Sequence, residues 1–155
     1  ADIRAAPVIY QGTVYAISNS GRMVALNLRN GARLWEQRVG GIQAPWVVGD
    51  NIFVVNSDNQ IACLNRPDGR VRWARQLPRY EDEKDKSDAI TWAGPVLAGD
   101  RLLLGSTQGH AVALSPYTGD LLGRVDMDDP ITIPPAIADK TAYFVTDDAD
   151  LIALR

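Results

Sequence analysis

Ala25-Leu26-Asn27-Leu28-Arg29-Asn30-Gly31-Ala32-Arg33-Leu34-Trp35 is followed 38 residues later by Cys63-Leu64-Asn65-Arg66-Pro67-Asp68-Gly69-Arg70-Val71-Arg72-Trp73. The two stretches share a leucine, an asparagine, a turn glycine and a tryptophan at the same spacing. A third copy, Ala113 to Gly123, keeps Leu114 and Gly119 but has Gly123 where the tryptophan stands. A fourth reaches only its Ala153-Leu154 pair. Upstream of each copy lies a proline, at Pro7, Pro45, Pro95 and Pro135, in steps of 38, 50 and 40 residues, and Leu26, Leu64, Leu114 and Leu154 keep the same steps. Self-similarity at a period near 40 residues is the signature of a propeller or a solenoid.

Within each period the pattern is a meander of short strands. In the first repeat Ala6 to Tyr10 is an apolar run, Gln11-Gly12 a turn, and Thr13 to Ser18 a second strand. Asn19-Ser20-Gly21 turns into Arg22 to Asn27, and Leu28 to Gly31 turns into Ala32 to Arg38. Short β-rich runs separated by Gly, Asn and Asp signals predict successive hairpins. The expected architecture is all-β, a single partial β-propeller over residues 1–155 with about four blades, at 6–38, 45–76, 95–125 and 135–155. The prolines are expected to open the first strand of each blade. The fourth blade has three strands and no outer Gly-x-x-x-Trp strand, which leaves an open edge of backbone donors and acceptors. Residues 78–88 show no strand character and are expected as one blade-connecting loop carrying the extra length of the 50-residue step.

Composition narrows the function classes. The chain has 155 residues, 46% hydrophobic and 23% charged, with a net charge of −3. That is enough for a real core, and nothing in the scattered Lys and Arg argues for nucleic acid. Cys63 is the only cysteine, which excludes a disulfide framework or a cysteine metal cluster. Its place in the repeat is that of Ala25 and Ala113, so a small buried apolar residue is expected. His110 is the only histidine, too few for a metal site or a catalytic relay, and is expected as a strand residue beside a turn. Asp147-Asp148-Ala149-Asp150 carries clustered oxygens such as calcium takes, but it occupies the hairpin position of Asn19-Ser20-Gly21 and Thr107-Gln108-Gly109 and is expected as a turn. The acid-rich stretch Glu81 to Asp88 reads as a solvated loop, and Trp46 and Trp92 read as core or rim packing.

The Ala-Leu-Asn-x-x-x-Gly-x-x-x-Trp stretches resemble the tryptophan-docking motif of PQQ-like, quinoprotein-type propellers. The resemblance implies structural docking roles for Gly31, Trp35, Gly69, Trp73 and Gly119, with the indole filling the wedge between blades and the glycine permitting the turn. Asp2 to Val8, Gly12 to Ala16, Val24 to Gly31, Gly94 to Leu97 and the ending Leu151 to Arg155 are together similar to the C-terminal half of the BamB family, lipoprotein subunits of the outer-membrane β-barrel assembly machine. This likeness implies half of an eight-bladed ring and a non-enzymatic scaffold without cofactor or metal. It also implies a site on the periplasmic side of the outer membrane, with a lipid anchor upstream of Ala1. The partner it implies is the POTRA domains of the central barrel subunit BamA. The family uses an acidic Asp-x-Asp pair before the first proline of this half for that contact. Asp2 matches the first acid, and Arg4 stands in place of the second. Two copies pairing their open ends into an eight-bladed homodimer is a further expectation. A quinone-dependent dehydrogenase fragment and the sensor ectodomain of a signalling protein are the alternatives on the same repeat.

Overall fold

The computed structural model describes residues 5–18, 20–41, 43–82 and 84–154. The chain divides into two compact units, Ala1–Arg75 and Gln76–Arg155. In the first, β1 (Val8–Tyr10), β2 (Thr13–Ser18), β3 (Arg22–Asn27) and β4 (Arg33–Gln37) form an antiparallel sheet in chain order. A second sheet repeats this order with β5 (Trp46–Val48), β6 (Asn51–Val55), β7 (Gln60–Asn65) and β8 (Val71–Gln76), whose last residue opens the next unit. Chain-order meanders of four short strands are propeller blades.

The repeated motif builds the same turn each time. Asn27 N–H donates to the Ala32 carbonyl at 2.8 Å, and Gly31 N–H to the Asn27 carbonyl at 2.8 Å. Asn65 with Arg70 and Gly69 repeats both bonds at 2.7 Å, and Ser115 with Asp120 and Gly119 repeats them at 2.8 Å. The glycines sit at φ of 71°, 75° and 78°, the left-handed region where a side chain costs energy. The ladder slips by one residue just after the turn, between Ala25 and Leu26, which sets Trp35 directly across from Ala25.

The second unit opens on a feature that the sequence reading missed. Residues 78–88 are not a bare loop: β9 (Tyr80–Asp82) pairs with β10 (Ser87–Ala89) as a separate hairpin. Its strands lack apolar alternation because every described position on β10 is exposed, so no hydrophobic period marks it. Ile90 N–H bonds the Arg79 carbonyl at 2.8 Å, and the indole N–H of buried Trp92 bonds the Pro78 carbonyl at 2.9 Å, which ties the hairpin at its base.

The third blade follows with β11 (Trp92–Ala98), β12 (Arg101–Ser106), β13 (His110–Leu114) and β14 (Leu121–Asp126). Pro7, Pro45 and Pro135 each precede a first strand, but Pro95 lies inside β11. It is accommodated there because the register shifts between Ala93 and Val96, so that its missing N–H falls at a bulge. The fourth blade is the three-stranded sheet β15 (Ala136–Ala138), β16 (Thr141–Val145) and β17 (Leu151–Leu154).

Each unit has its own core. Tyr15, Ile17, Met23, Ala25 and Trp35 from the first blade interlock with Ile52, Val54, Ala62 and Leu64 from the second. In the second unit Ala111, Met127 and Ile131 pack with Ala142 and Phe144. Full burial of each large side chain contributes about 1.5–3 kcal/mol. The connectors between blades are pinned to the hairpins beneath them: Ser57 N–H reaches the Gly40 carbonyl at 2.8 Å, Ile131 N–H the Ser106 carbonyl at 2.9 Å, and Asp147 N–H the Pro130 carbonyl at 2.9 Å.

Candidate functional site

The best-built constellation in the first unit joins its two blades. Trp35, projecting from β4, is only 8% exposed. Its indole N–H donates to the Arg66 carbonyl at 2.9 Å, and its ring lies on the backbone of Gly69 in the next blade. A Cβ at Gly69 would stand 2.6 Å from Trp35 Cδ2 and 2.8 Å from Cζ3, so no larger residue fits beneath the indole. Gln37 Nε2 donates to the Gly69 carbonyl at 3.0 Å, and Tyr15 tilts against Trp35 with ring centroids 6.1 Å apart. Gly69 therefore does two things, turning its own blade and receiving the tryptophan of the preceding one. The sequence reading assigned only the turn. Gly31 has the same turn with nothing within 4 Å of its would-be side chain.

Trp73 is half-buried and tilts against Phe53 at 6.3 Å. Gly119 takes the turn conformation of its column, and Gly123 faces Ala113 in the ladder as Trp35 faces Ala25. A Cβ on Gly123 would meet nothing within 4 Å. Asp2 and Arg4 lie outside the described residues.

One contributor escaped sequence reasoning altogether. Arg66, in the second blade, spreads its guanidinium over the first: it lies 5.1 Å from the centre of the Tyr10 ring, and its Nη atoms donate to Tyr15 Oη at 3.4 Å and Gln11 Oε1 at 3.3 Å. Its Nε bonds the Gly49 carbonyl, whose own N–H donates to Tyr10 Oη at 2.9 Å. A planar fork of donors that can also stack on an aromatic face is what such a clamp requires. The signal in the sequence was an arginine in the column otherwise held by Leu28 and Pro116.

The remaining ionisable candidates are placed as follows. Asp147 to Asp150 form the turn between β16 and β17, with Ala149 N–H on the Thr146 carbonyl at 2.9 Å. Burial, then a hydrogen bond with Asp148 and the charges of Asp148, Asp150 and Asp128, raise the Asp129 carboxyl above its ordinary range. Charge is divided unequally along the chain: residues 1–75 carry nine arginines against five acids, whereas residues 76–155 carry seven bases against fourteen acids. Cys63 is buried, and that burial pushes its thiol up to about 11 against the pull of Arg72. At about pH 8 only about one thiol in a thousand is then ionised. Iodoacetamide should leave folded protein unlabelled and modify it in urea, as read by intact mass.

A family model described as "Outer membrane protein assembly factor BamB" matches residues 1–75 and 79–155. The chain belongs to the BamB family. The outer membrane protein assembly factor BamB of Legionella pneumophila (strain Paris) is 27% identical over 150 residues, a span that covers 97% of this chain and 37% of that protein. The BamB of Alkalilimnicola ehrlichii is 26% identical over 155 residues, covering 99% and 38%. The chain thus spans less than two fifths of the length of these relatives. The crystal structure of BamB from Moraxella catarrhalis superposes with a TM-score of 0.81 at 16% identity, covering 97% of this chain and 42% of that one. That likeness shows the fold: about four β-propeller blades of the PQQ-like type. The relatives are named as assembly factors of outer-membrane proteins and not as enzymes.

Proposed function

We propose that this BamB-family chain is a non-enzymatic docking scaffold that supports outer-membrane β-barrel assembly from the periplasmic side of the outer membrane. The observation that carries the reading is the family match, which runs through both compact units. The blade geometry supports it. Connectors hydrogen-bonded onto hairpins, and blades locked by Trp35 and Arg66, hold rim loops in fixed positions, as a docking surface needs. The partner is the POTRA array of the barrel-assembly subunit, and the contact includes Asp2 and Arg4.

Calorimetric titration of the chain against purified POTRA domains tests this directly. The expected result is saturable binding that Asp2→Ala weakens about fivefold, the effect of one rim charge pair of about 1 kcal/mol. Binding that is indifferent to Asp2→Ala would move the contact elsewhere on the chain. No heat at any concentration, with the folded state verified by circular dichroism, would overturn the assignment of this partner.

A further inference from the structure

Blades one and three each fasten their outer strand with a carboxylate held between two bases. In blade one Arg22 opens β3, and its Nη1 donates to Glu36 Oε1 at 2.7 Å, while Arg33 Nη1 donates to Oε2 at 3.3 Å. The two cations thus use separate oxygens. In blade three His110 holds the column of Arg22. Its Nδ1 is 2.8 Å from Asp126 Oδ1, Arg124 Nε donates to that same oxygen at 2.7 Å, and Arg124 Nη2 lies 3.3 Å from His110 Nε2. The three contacts close a ring. Blade two has uncharged Gln60 in this column, its Oε1 accepting from Asn56 Nδ2 at 2.9 Å.

The closed ring selects one protonation state. A guanidinium has donors only, so Nε2 must present its lone pair to Arg124, and Nδ1 must carry the hydrogen given to Asp126. A neutral Nδ1–H imidazole satisfies all three contacts. Adding a proton puts an N–H on Nε2, pointed at the N–H of Arg124, and sets two like charges a hydrogen-bond length apart. The bond between Nδ1 and Asp126 survives and gains charge. We propose that His110 is a proton-operated latch: neutral, its Nε2 holds the Nη2 group of Arg124; protonated, it drops that contact and keeps its own bond to Asp126, while Arg124 stays paired with the carboxylate through Nε. The protonated state resembles blade one, where two cations pair with one carboxylate.

The surroundings leave the latch free to work. The ring's hydrogen-bond partners, Asp126 and Arg124, both come from β14. Around it the backbone is fixed: His110 N–H bonds Ser106 Oγ at 3.2 Å, and Met127 N–H the Gly109 carbonyl at 2.6 Å. On that connector Asp129 is engaged with Asp148. The Arg124 hydrogen bond, then that of His110, holds the Asp126 carboxyl below its ordinary range. The imidazole is 24% exposed, which gives protons access. The latch stands on these side chains alone and does not depend on the partner proposed above.

Because the chain has one histidine, nitrogen-15 NMR reads it without ambiguity. At about pH 8 the expected spectrum shows Nδ1 protonated and Nε2 as an acceptor. As acid adds a proton to the ring, the Arg124 Nη resonance should shift in step, because its contact with Nε2 is lost. In His110→Gln that shift should be absent. The Nε2–H tautomer at about pH 8, an Arg124 signal indifferent to ring protonation, or a shift that persists in His110→Gln would each overturn the proposal.

Discussion

Trp35→Ala should lower the stability of the protein by about 3–5 kcal/mol, which in a chain of this size is a drop of about 10 °C in Tm. The indole is buried between two blades, so truncation leaves a cavity bounded by Tyr15 and the backbone of Gly69. It also strips the Arg66 carbonyl of a hydrogen bond. Trp35→Phe separates the two losses, since a phenyl ring refills most of the volume without the N–H, and should cost about 1–2 kcal/mol for the bond. Leu34→Ala, one residue away on an exposed position, should change stability by less than about 0.5 kcal/mol. Urea unfolding of the three variants checks the series. A Trp35→Ala loss near that of Leu34→Ala would show that the indole does not lock the blades.

Gly69→Ala and Gly31→Ala form the second test, because the two glycines share a turn and a backbone conformation but not a neighbour. Both sit near φ +70°, where an alanine costs about 1 kcal/mol. At Gly31 the new methyl enters open space, so that backbone cost is the whole expected effect. At Gly69 it meets the face of Trp35 and must push the ring off its seat, adding about 1–3 kcal/mol of overpacking. The expected order is Gly69→Ala well below Gly31→Ala in urea midpoint, with Trp35 fluorescence shifted only in the former. Equal losses would mean that the glycine column serves the turn alone.

The blade plan was legible in the sequence because its causes are local. The turn bonds of Asn27 with Gly31 and Ala32 span four or five residues, and the same bonds recur at Asn65 and Ser115. A four-residue signal repeated in step with alternating apolar runs leaves few folds to choose from. β2 and β3 consequently begin and end where the pattern placed them. The hairpin β9–β10 was not legible, because a two-stranded ribbon solvated on its exposed strand carries no apolar period, and charged residues read as loop. Pro95 was misplaced at a strand opening because a proline inside a strand becomes tolerable only where a bulge in the partner register removes the need for its N–H.

What the sequence determined by itself was the repeat, its strand order within each blade, the turn glycines, the burial of Cys63 and, through the order of its motifs, the family. The tertiary structure decided which atoms meet across blades. Trp35 reaches Arg66 and Gly69 more than thirty residues away, Arg66 reaches back more than fifty to Tyr15 and Gln11, and His110 closes a ring with Arg124 and Asp126. Turn chemistry acts through bonds between near neighbours, so a string of residues displays it. Docking acts through the superposition of two sheets, where one methyl group at Gly69 or one proton on His110 changes the fit, and only the packed chain displays that.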